Sequence, residues 1–230
     1  MVRDAGVRPD DLVVDLGAGS GRLTAELARC ARQVVAVELD PAWAERLQGR
    51  WESVEVVAGD AAGMALPSEP FRVVANLPFD RTTAILRHLL DDPRVPLVRA
   101  DLIVEWGVAL KRSLPWPSTV NDVLWGAWYV SSLERRLPRS AFHPPPSVDA
   151  GLLVLERRAR PLVHESLWQA YRGFVAGGFR RGVGSVAPAG ALRRLGVLGA
   201  APRELDTHQW AALFAATTRR RSSGALASRR

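Results

Sequence analysis

Asn76-Leu77-Pro78-Phe79 sets an amide, a carbonyl followed by proline, and an aromatic ring side by side at the end of an apolar run. That set suits one kind of chemistry. The exocyclic amine of an adenine is a poor nucleophile because its lone pair is delocalised into the ring. Two hydrogen-bond acceptors on its protons draw it toward a tetrahedral, nucleophilic shape. The Asn76 side-chain oxygen and a nearby backbone carbonyl, that of Leu77, supply such a pair. Pro78 restricts Leu77 to an extended conformation, which aims its carbonyl outward. Phe79 offers a face on which a flipped base stacks. Methyl transfer then rests on placing the amine in line with a methyl–sulfonium bond, and the scheme requires neither a separate base nor a metal. Taken alone, the tetrapeptide reads more readily as a strand-to-helix turn with an aromatic plug. Its place after three other polar strand ends favours the chemistry.

The first of those ends is Asp15-Leu16-Gly17-Ala18-Gly19-Ser20-Gly21, a glycine turn between a strand and a helix. Glycines let the backbone turn sharply and let a ligand come close to the main chain. The spacing is G-x-G-x-G rather than the G-x-G-x-x-G of dinucleotide folds. The second is Glu38, 21 residues past Gly17 and followed by Leu39. A carboxylate there accepts both hydroxyls of a ribose; its other reading is a charge favoured by the dipole of the next helix, a role Asp40 already fills. The third is Gly59-Asp60-Ala61, where a carboxylate accepts the adenine amino group of a cofactor or simply caps a helix. Ligands of open parallel sheets bind at this edge. The expected cofactor is S-adenosyl-L-methionine. Its expected contacts are Asp15, Gly17, Ala18, Gly19, Gly21, Glu38, Leu39, Asp60, Ala61 and Asn76, and the expected catalytic set is Asn76, Leu77, Pro78 and Phe79.

The elements that must position these residues are visible as alternating patterns. Strands are expected at Leu12–Leu16, Val34–Val37, Val54–Val57, Phe71–Ala75 and Leu97–Val104. Helices are expected from Gly21 to Ala31, from Pro41 (with Asp40 as N-cap) to about Arg50, and from Thr82 to Leu90. Strands alternating with helices give a parallel sheet covered on both faces. A late antiparallel pair is expected at Trp125–Arg136 and Val148–Arg157, with Trp125 and Trp128 in the core. Pro144-Pro145-Pro146 lies between them and cannot be sheet interior. Beyond Pro161 the pattern turns to short helices at His164–Ala176, Ala191–Leu198 and Thr207–Thr217. The Arg- and Ser-rich residues 219–230 read as a disordered basic tail. The division is therefore 1–160 for cofactor and catalysis, 161–218 for a helical RNA-binding domain, and 219–230 for the tail.

Composition narrows the setting. The chain has 230 residues, 47% hydrophobic, enough for one full domain and a small accessory one. No apolar run is long enough for a membrane span, and the stretch from Met1-Val2-Arg3-Asp4 shows no signal-peptide h-region, so none is expected. Cys30 is the only cysteine, so no internal disulfide or CxxC site exists; it is expected to be a small buried helical residue. The four histidines, His88, His143, His164 and His208, show no metal-ligand spacing, so no metal is expected. A cytoplasmic monomer fits these features. The net charge is +7 and almost all the basic charge is arginine, Lys111 being the one lysine. Arginine forks match phosphate oxygens, although such a bias also follows from GC-rich coding.

The sequence resembles the Erm-type ribosomal RNA adenine N6-methyltransferases, relatives of the small-subunit dimethyladenosine transferases, from about Arg8 to Arg158. The likeness runs through Val13–Thr24, Val37-Glu38-Leu39-Asp40, Gly59-Asp60 and Asn76–Phe79. It continues through Val104–Ala109 with Lys111-Arg112, and through Ala141–Ala150. The resemblance implies a Rossmann-like class I methyltransferase sheet with a small C-terminal helical domain. It also implies transfer of one or two methyls to a single adenine of 23S rRNA, before full ribosome assembly, with resistance to macrolide, lincosamide and streptogramin B antibiotics. Family members usually carry a further N-terminal segment with a Gln-Asn-Phe-like motif that closes over the cofactor. This chain starts close to its first strand without that segment, so weaker cofactor affinity than in a full-length relative is expected.

Candidate phosphate contacts are Arg22, Arg81, Lys111, Arg112, Arg135, Arg136, Arg180, Arg181 and the tail arginines, each of which also reads as part of a solvated face. His143 lies in the loop near the expected substrate mouth, where a structural role is favoured over an RNA contact. The rival readings are a small-subunit rRNA dimethyltransferase and an RNA-binding relative that no longer methylates. DNA adenine and protein glutamine methyltransferases would carry Asn-Pro-Pro-Tyr, whereas this chain has Leu77 before Pro78.

Overall fold

A computed structural model describes residues 1–227, with side chains described through 218; residues 228–230 lie outside it. The chain forms two compact units. One holds Met1–Ser113 with Val130–Arg157, and the other holds Leu114–Tyr129 with the chain from Arg158 onward.

The first unit is built on a sheet with the strand order β3-β2-β1-β4-β5-β7-β6. The strands are β1 (Leu12–Leu16), β2 (Gln33–Glu38), β3 (Val54–Ala58), β4 (Phe71–Asn76), β5 (Leu97–Glu105), β6 (Tyr129–Leu137) and β7 (Ala150–Arg157). The first five pair in parallel, and β7 runs antiparallel to β5. The central strand β1 is buried at all five positions, as expected of a parallel strand covered on both faces, and it carries Asp15 into the interior with its apolar neighbours. The helices of this unit are α1 (Val2–Ala5), α2 (Arg22–Leu27), α3 (Pro41–Leu47), α4 (Thr82–Leu90) and α5 (Trp106–Ser113). The Asp40 side chain accepts from the Ala42 amide at 2.8 Å, so it caps α3 as expected. Helix α2 is shorter than the periodicity suggests, and Cys30 lies half-buried beyond its end instead of within it. Helix α5, to which sequence patterning assigns no element, packs on β5 and β7. Arg72 on β4 fastens α1, donating to the carbonyls of Ala5 and Gly6 and pairing with Asp11 at 3.0 Å.

The second unit is helical: α6 (Val120–Trp128), α7 (Trp168–Arg181), α8 (Ala189–Arg194) and α9 (Thr207–Ala227). Helix α6 corrects the sequence expectation of one strand from Trp125 to Arg136. Thr119 and Asp122 form a reciprocal capping box, the Asp122 amide donating to Thr119 and the Thr119 amide to Asp122. The helix then buries Val123, Leu124, Trp125, Ala127 and Trp128 and packs against α7 and α9. Tertiary burial overrides the strand preference of its tryptophans. The same packing places Leu114–Tyr129 in the helical unit, on the other side of the division from where the expected boundary at residue 160 puts it. Helix α9 is helical to Ala227 and so takes in residues 219–227, which composition assigned to an unstructured tail.

An aromatic cluster centres this unit. Tyr171 and Phe214 have ring centroids 5.2 Å apart, and Phe174 lies 5.4 Å from Phe214 and 6.0 Å from Trp210. Gly178 on α7 faces Trp210, which is fully buried. A Cβ at Gly178 would stand 2.5 Å from the indole edge. Helix propensity favours Gly178→Ala by about 1 kcal/mol, but overpacking a closed core costs about 1–3 kcal/mol. The variant is expected to be less stable by about 1 kcal/mol in urea denaturation; a gain in stability would contradict this packing.

Candidate active site

Strand register gathers the site. Leu16 pairs with Val37, Val37 with Val57, and Glu38 with Ala58. Val14 pairs with Val73, which brings Gly17 level with Asn76 three residues on. Each strand end is then tied to its neighbour. The Gly17 and Ala18 amides donate to Val37 O at 2.9 and 3.0 Å, Gly59 N to Glu38 O at 2.8 Å, and Leu77 N to Ile103 O at 3.0 Å.

The glycine turn is built for close approach. Gly17, Gly19 and Gly21 all have positive φ, which other residues adopt at a cost. A Cβ on Gly17 would lie 3.4 Å from Pro78 Cδ, so the turn and the expected catalytic tetrapeptide are in contact. A Cβ on Gly21 would meet buried Leu47 at 2.5 Å. The Glu38 carboxylate holds the turn, accepting from Gly19 N at 2.7 Å and from Asp40 N at 2.9 Å. Each of its oxygens keeps a lone pair for a further donor. Leu39 beside it is 62% exposed, an apolar surface suited to one side of a planar ring.

Asp60 follows β3 in a turn with no helix behind it, so the helix-cap reading does not apply. Its Oδ1 accepts from Ala62 N at 2.9 Å and its Oδ2 pairs with Arg81. Those two contacts, the Ala62 bond foremost, hold its carboxyl below the usual carboxylate range. Ala61 is half-buried in the same turn. Sequence reasoning had placed Arg81 among RNA contacts. Nothing in the spacing of two residues 21 apart reveals the pair.

The tetrapeptide lies at the edge of the sheet with its amide side chain accessible. Asn76 is exposed and, among the described residues, its side chain makes no hydrogen bond. The Pro78 carbonyl is taken by Arg81 N and by Thr82 Oγ1, both at 3.1 Å. The Leu77 carbonyl, among the described residues, accepts none, while its side chain is buried. Phe79 is half-buried. Asn76 also lines a cavity of about 480 Å³ with Arg22, Leu23, Glu26, Ile103 and residues 1–4. Among the described residues, no cluster of three or more His, Cys, Asp or Glu is arranged to hold a metal, and no helix is long and apolar enough to cross a membrane.

Two other expected RNA contacts have protein partners. Arg136 pairs with Asp149 at 2.8 Å and lies over the Trp106 ring at 4.9 Å; Arg135 reaches Asp4 at 3.5 Å.

The family model for ribosomal RNA adenine dimethylases matches residues 1–187. The chain belongs to the ribosomal RNA adenine dimethylase family. It is an rRNA methyltransferase by that membership. An rRNA adenine N-6-methyltransferase of Corynebacterium diphtheriae is 38% identical over 189 residues, which cover 80% of this chain and 72% of that protein. Mycinamicin-resistance protein MyrB of Micromonospora griseorubida is 36% identical over 215 residues, 88% of this chain and 68% of its own. The crystal structure of the 23S rRNA methyltransferase ErmE superposes with a TM-score of 0.79 at 29% identity, over 94% of both chains.

In this rRNA adenine dimethylase Asp15 lies beneath the glycine turn, not at its surface. It is 1% exposed, and its Oδ2 accepts from Thr24 Oγ1 at 2.7 Å. Oδ1 is buried with no hydrogen-bond partner among the described residues. Burial pushes this carboxyl up to about 7; the Thr24 hydrogen bond opposes the shift and the Glu38 charge adds to it. The folded chain therefore keeps the proton to higher pH than the unfolded chain, whose carboxyl titrates at about 3.9. Stability attached to Asp15 is present below about pH 4 and is lost as pH rises toward 7. Asp15→Asn keeps an acceptor for Thr24 without the charge. Urea denaturation at pH 5 and pH 8 should show the variant gaining more than about 1 kcal/mol on the wild type at the higher pH. Parallel pH profiles would contradict the buried, proton-holding carboxyl.

Proposed function

We propose that the chain transfers one or two methyl groups from S-adenosyl-L-methionine to the N6 amine of a single adenine in 23S rRNA, conferring resistance to macrolide, lincosamide and streptogramin B antibiotics. The observation that carries the reading is the pair of free acceptors, the Asn76 amide oxygen and the Leu77 carbonyl, on a turn that touches the glycine loop at Gly17. The likeness to ErmE, a 23S rRNA methyltransferase, supports the 23S target, and that to MyrB, a mycinamicin-resistance protein, supports the resistance role.

The residues present fit the cofactor. Glu38 would hold the ribose hydroxyls and Asp60 the adenine amino group. Leu39 would cover a ring face, and the glycine turn would admit the ligand against its backbone. When bound, the cofactor supplies an electrophilic methyl on a sulfonium. Asn76 and Leu77 accept the protons of the target amine, so that its lone pair localises on nitrogen and points at that methyl. Phe79 stacks on the base once it has left its helix. The methylated amine is acidic as an ammonium and releases its proton to water, so the residues' task is positioning.

RNA affinity is assigned to the second unit. It carries thirteen arginines against four acidic residues, Asp122, Glu165, Glu204 and Asp206, whereas the first unit holds eighteen basic residues against twenty acidic. An excess of arginine of this kind releases counterions from a polyanion. The proposed setting is the cytoplasm, where rRNA is processed.

Asn76→Ala should lower turnover of labelled methyl into protein-free 23S rRNA by about 100-fold, with little loss of cofactor affinity, because it removes an acceptor needed in the transition state. The same variant should lose macrolide resistance when expressed in a sensitive bacterium. Near-normal turnover would refute the role of Asn76. Methylation of small-subunit rRNA without resistance would move the target to the other branch of the family. Phe79→Leu should slow transfer more than Phe79→Tyr, since the ring face is what the base uses.

A further inference from the structure

Arg81 touches both halves of the site. Its guanidinium pairs with Asp60 Oδ2 at the end of β3. Its main-chain N–H donates to Pro78 O at 3.1 Å and so closes the 78–81 turn, which carries Phe79 and directly follows Leu77. It stands at the N-cap of α4, two residues past Phe79. Each partner of the ion pair is 43% exposed, so the pair contributes little to stability in water. Yet it commits one of the two Asp60 oxygens, the other being held by Ala62 N. The Arg81 Nε is buried with no hydrogen-bond partner among the described residues, so the guanidinium is only partly satisfied.

The geometry points to Arg81 as a positioning residue that couples the adenosine end of the cofactor site to the turn presenting Asn76–Phe79. This rests on the reading that places the cofactor's adenine amino group on Asp60. A donor arriving there becomes the third on one carboxylate; it takes a remaining lone pair and draws on the same negative charge that holds Arg81. The guanidinium adjusts, and its backbone transmits the adjustment to the Pro78–Arg81 bond and the neighbouring Leu77 carbonyl. Cofactor occupancy thus orders the acceptors of the target amine. By reciprocity, ordering of the turn by substrate raises cofactor affinity by the same factor.

Amide hydrogen exchange of residues 77–85 in the full chain, with and without saturating S-adenosylhomocysteine, tests the coupling without any RNA. In the wild type the ligand should slow exchange of this segment by about fivefold or more, the lower range of typical couplings. Arg81→Gln should still bind S-adenosylhomocysteine by calorimetry and melt near the wild-type temperature, yet lose most of the slowing. Arg81→Lys, which keeps the charge, should recover part of it. Unchanged slowing in Arg81→Gln, or none in the wild type despite binding, would overturn the coupling alone. Failure of the wild-type chain to bind S-adenosylhomocysteine would overturn the cofactor reading and the coupling together.

Discussion

Parallel register is the constraint on which the site depends. Because Leu16, Val37 and Val57 lie side by side, the residues that follow them reach one edge of the sheet together. The β1–β4 register adds Asn76 to that row. A slip of one residue in any of these strands would turn its side chains to the opposite face and break the array. The amides of Gly17, Ala18, Gly59 and Leu77, each bonded to the neighbouring strand's carbonyls, oppose such a slip at the points where the site is built. Gly17 then lets the turn rest against Pro78 in a left-handed conformation that a side chain would strain.

Charge is divided between the two units in keeping with the proposed partners. The edge proposed for the cofactor presents the carboxylates Glu38 and Asp60, while Asp15 keeps its proton beneath the turn. This suits a ligand that carries a sulfonium cation. The carboxylates are not idle before a ligand comes. Glu38 holds two backbone amides, Asp60 holds one amide and an arginine, and Asp15 holds Thr24. The net positive charge of the chain belongs to the helical unit, which is assigned the polyanion.

Much of this was legible in the sequence because strand ends announce themselves. Leu12–Leu16 and Phe71–Ala75 are largely apolar runs that stop at a glycine turn and at a polar tetrapeptide, and both form strands where the pattern places them, the second extending to Asn76. Local capping chemistry was equally readable at Asp40. What escaped depended on packing or on distance in sequence. Trp125 and Trp128 read as strand residues until helix α6 buries them against α7 and α9. The pairing of Arg81 with Asp60, and of Arg136 with Asp149, joins residues whose spacing carries no signal, so free cations were expected where the fold holds paired ones. Asp15 was expected at the ligand surface because its motif is; its burial shows only in three dimensions.

The central claim is that the edge formed by Gly17, Glu38, Asp60 and Asn76 methylates the N6 amine of one adenine. Its most direct test is mass spectrometry of nucleosides from 23S rRNA treated with the full chain and isotopically labelled S-adenosyl-L-methionine. The account predicts label only in N6-methylated adenosine, traced by fragment mapping to a single position. Label in another nucleoside or on a ribose, or label spread over many adenines, would contradict it.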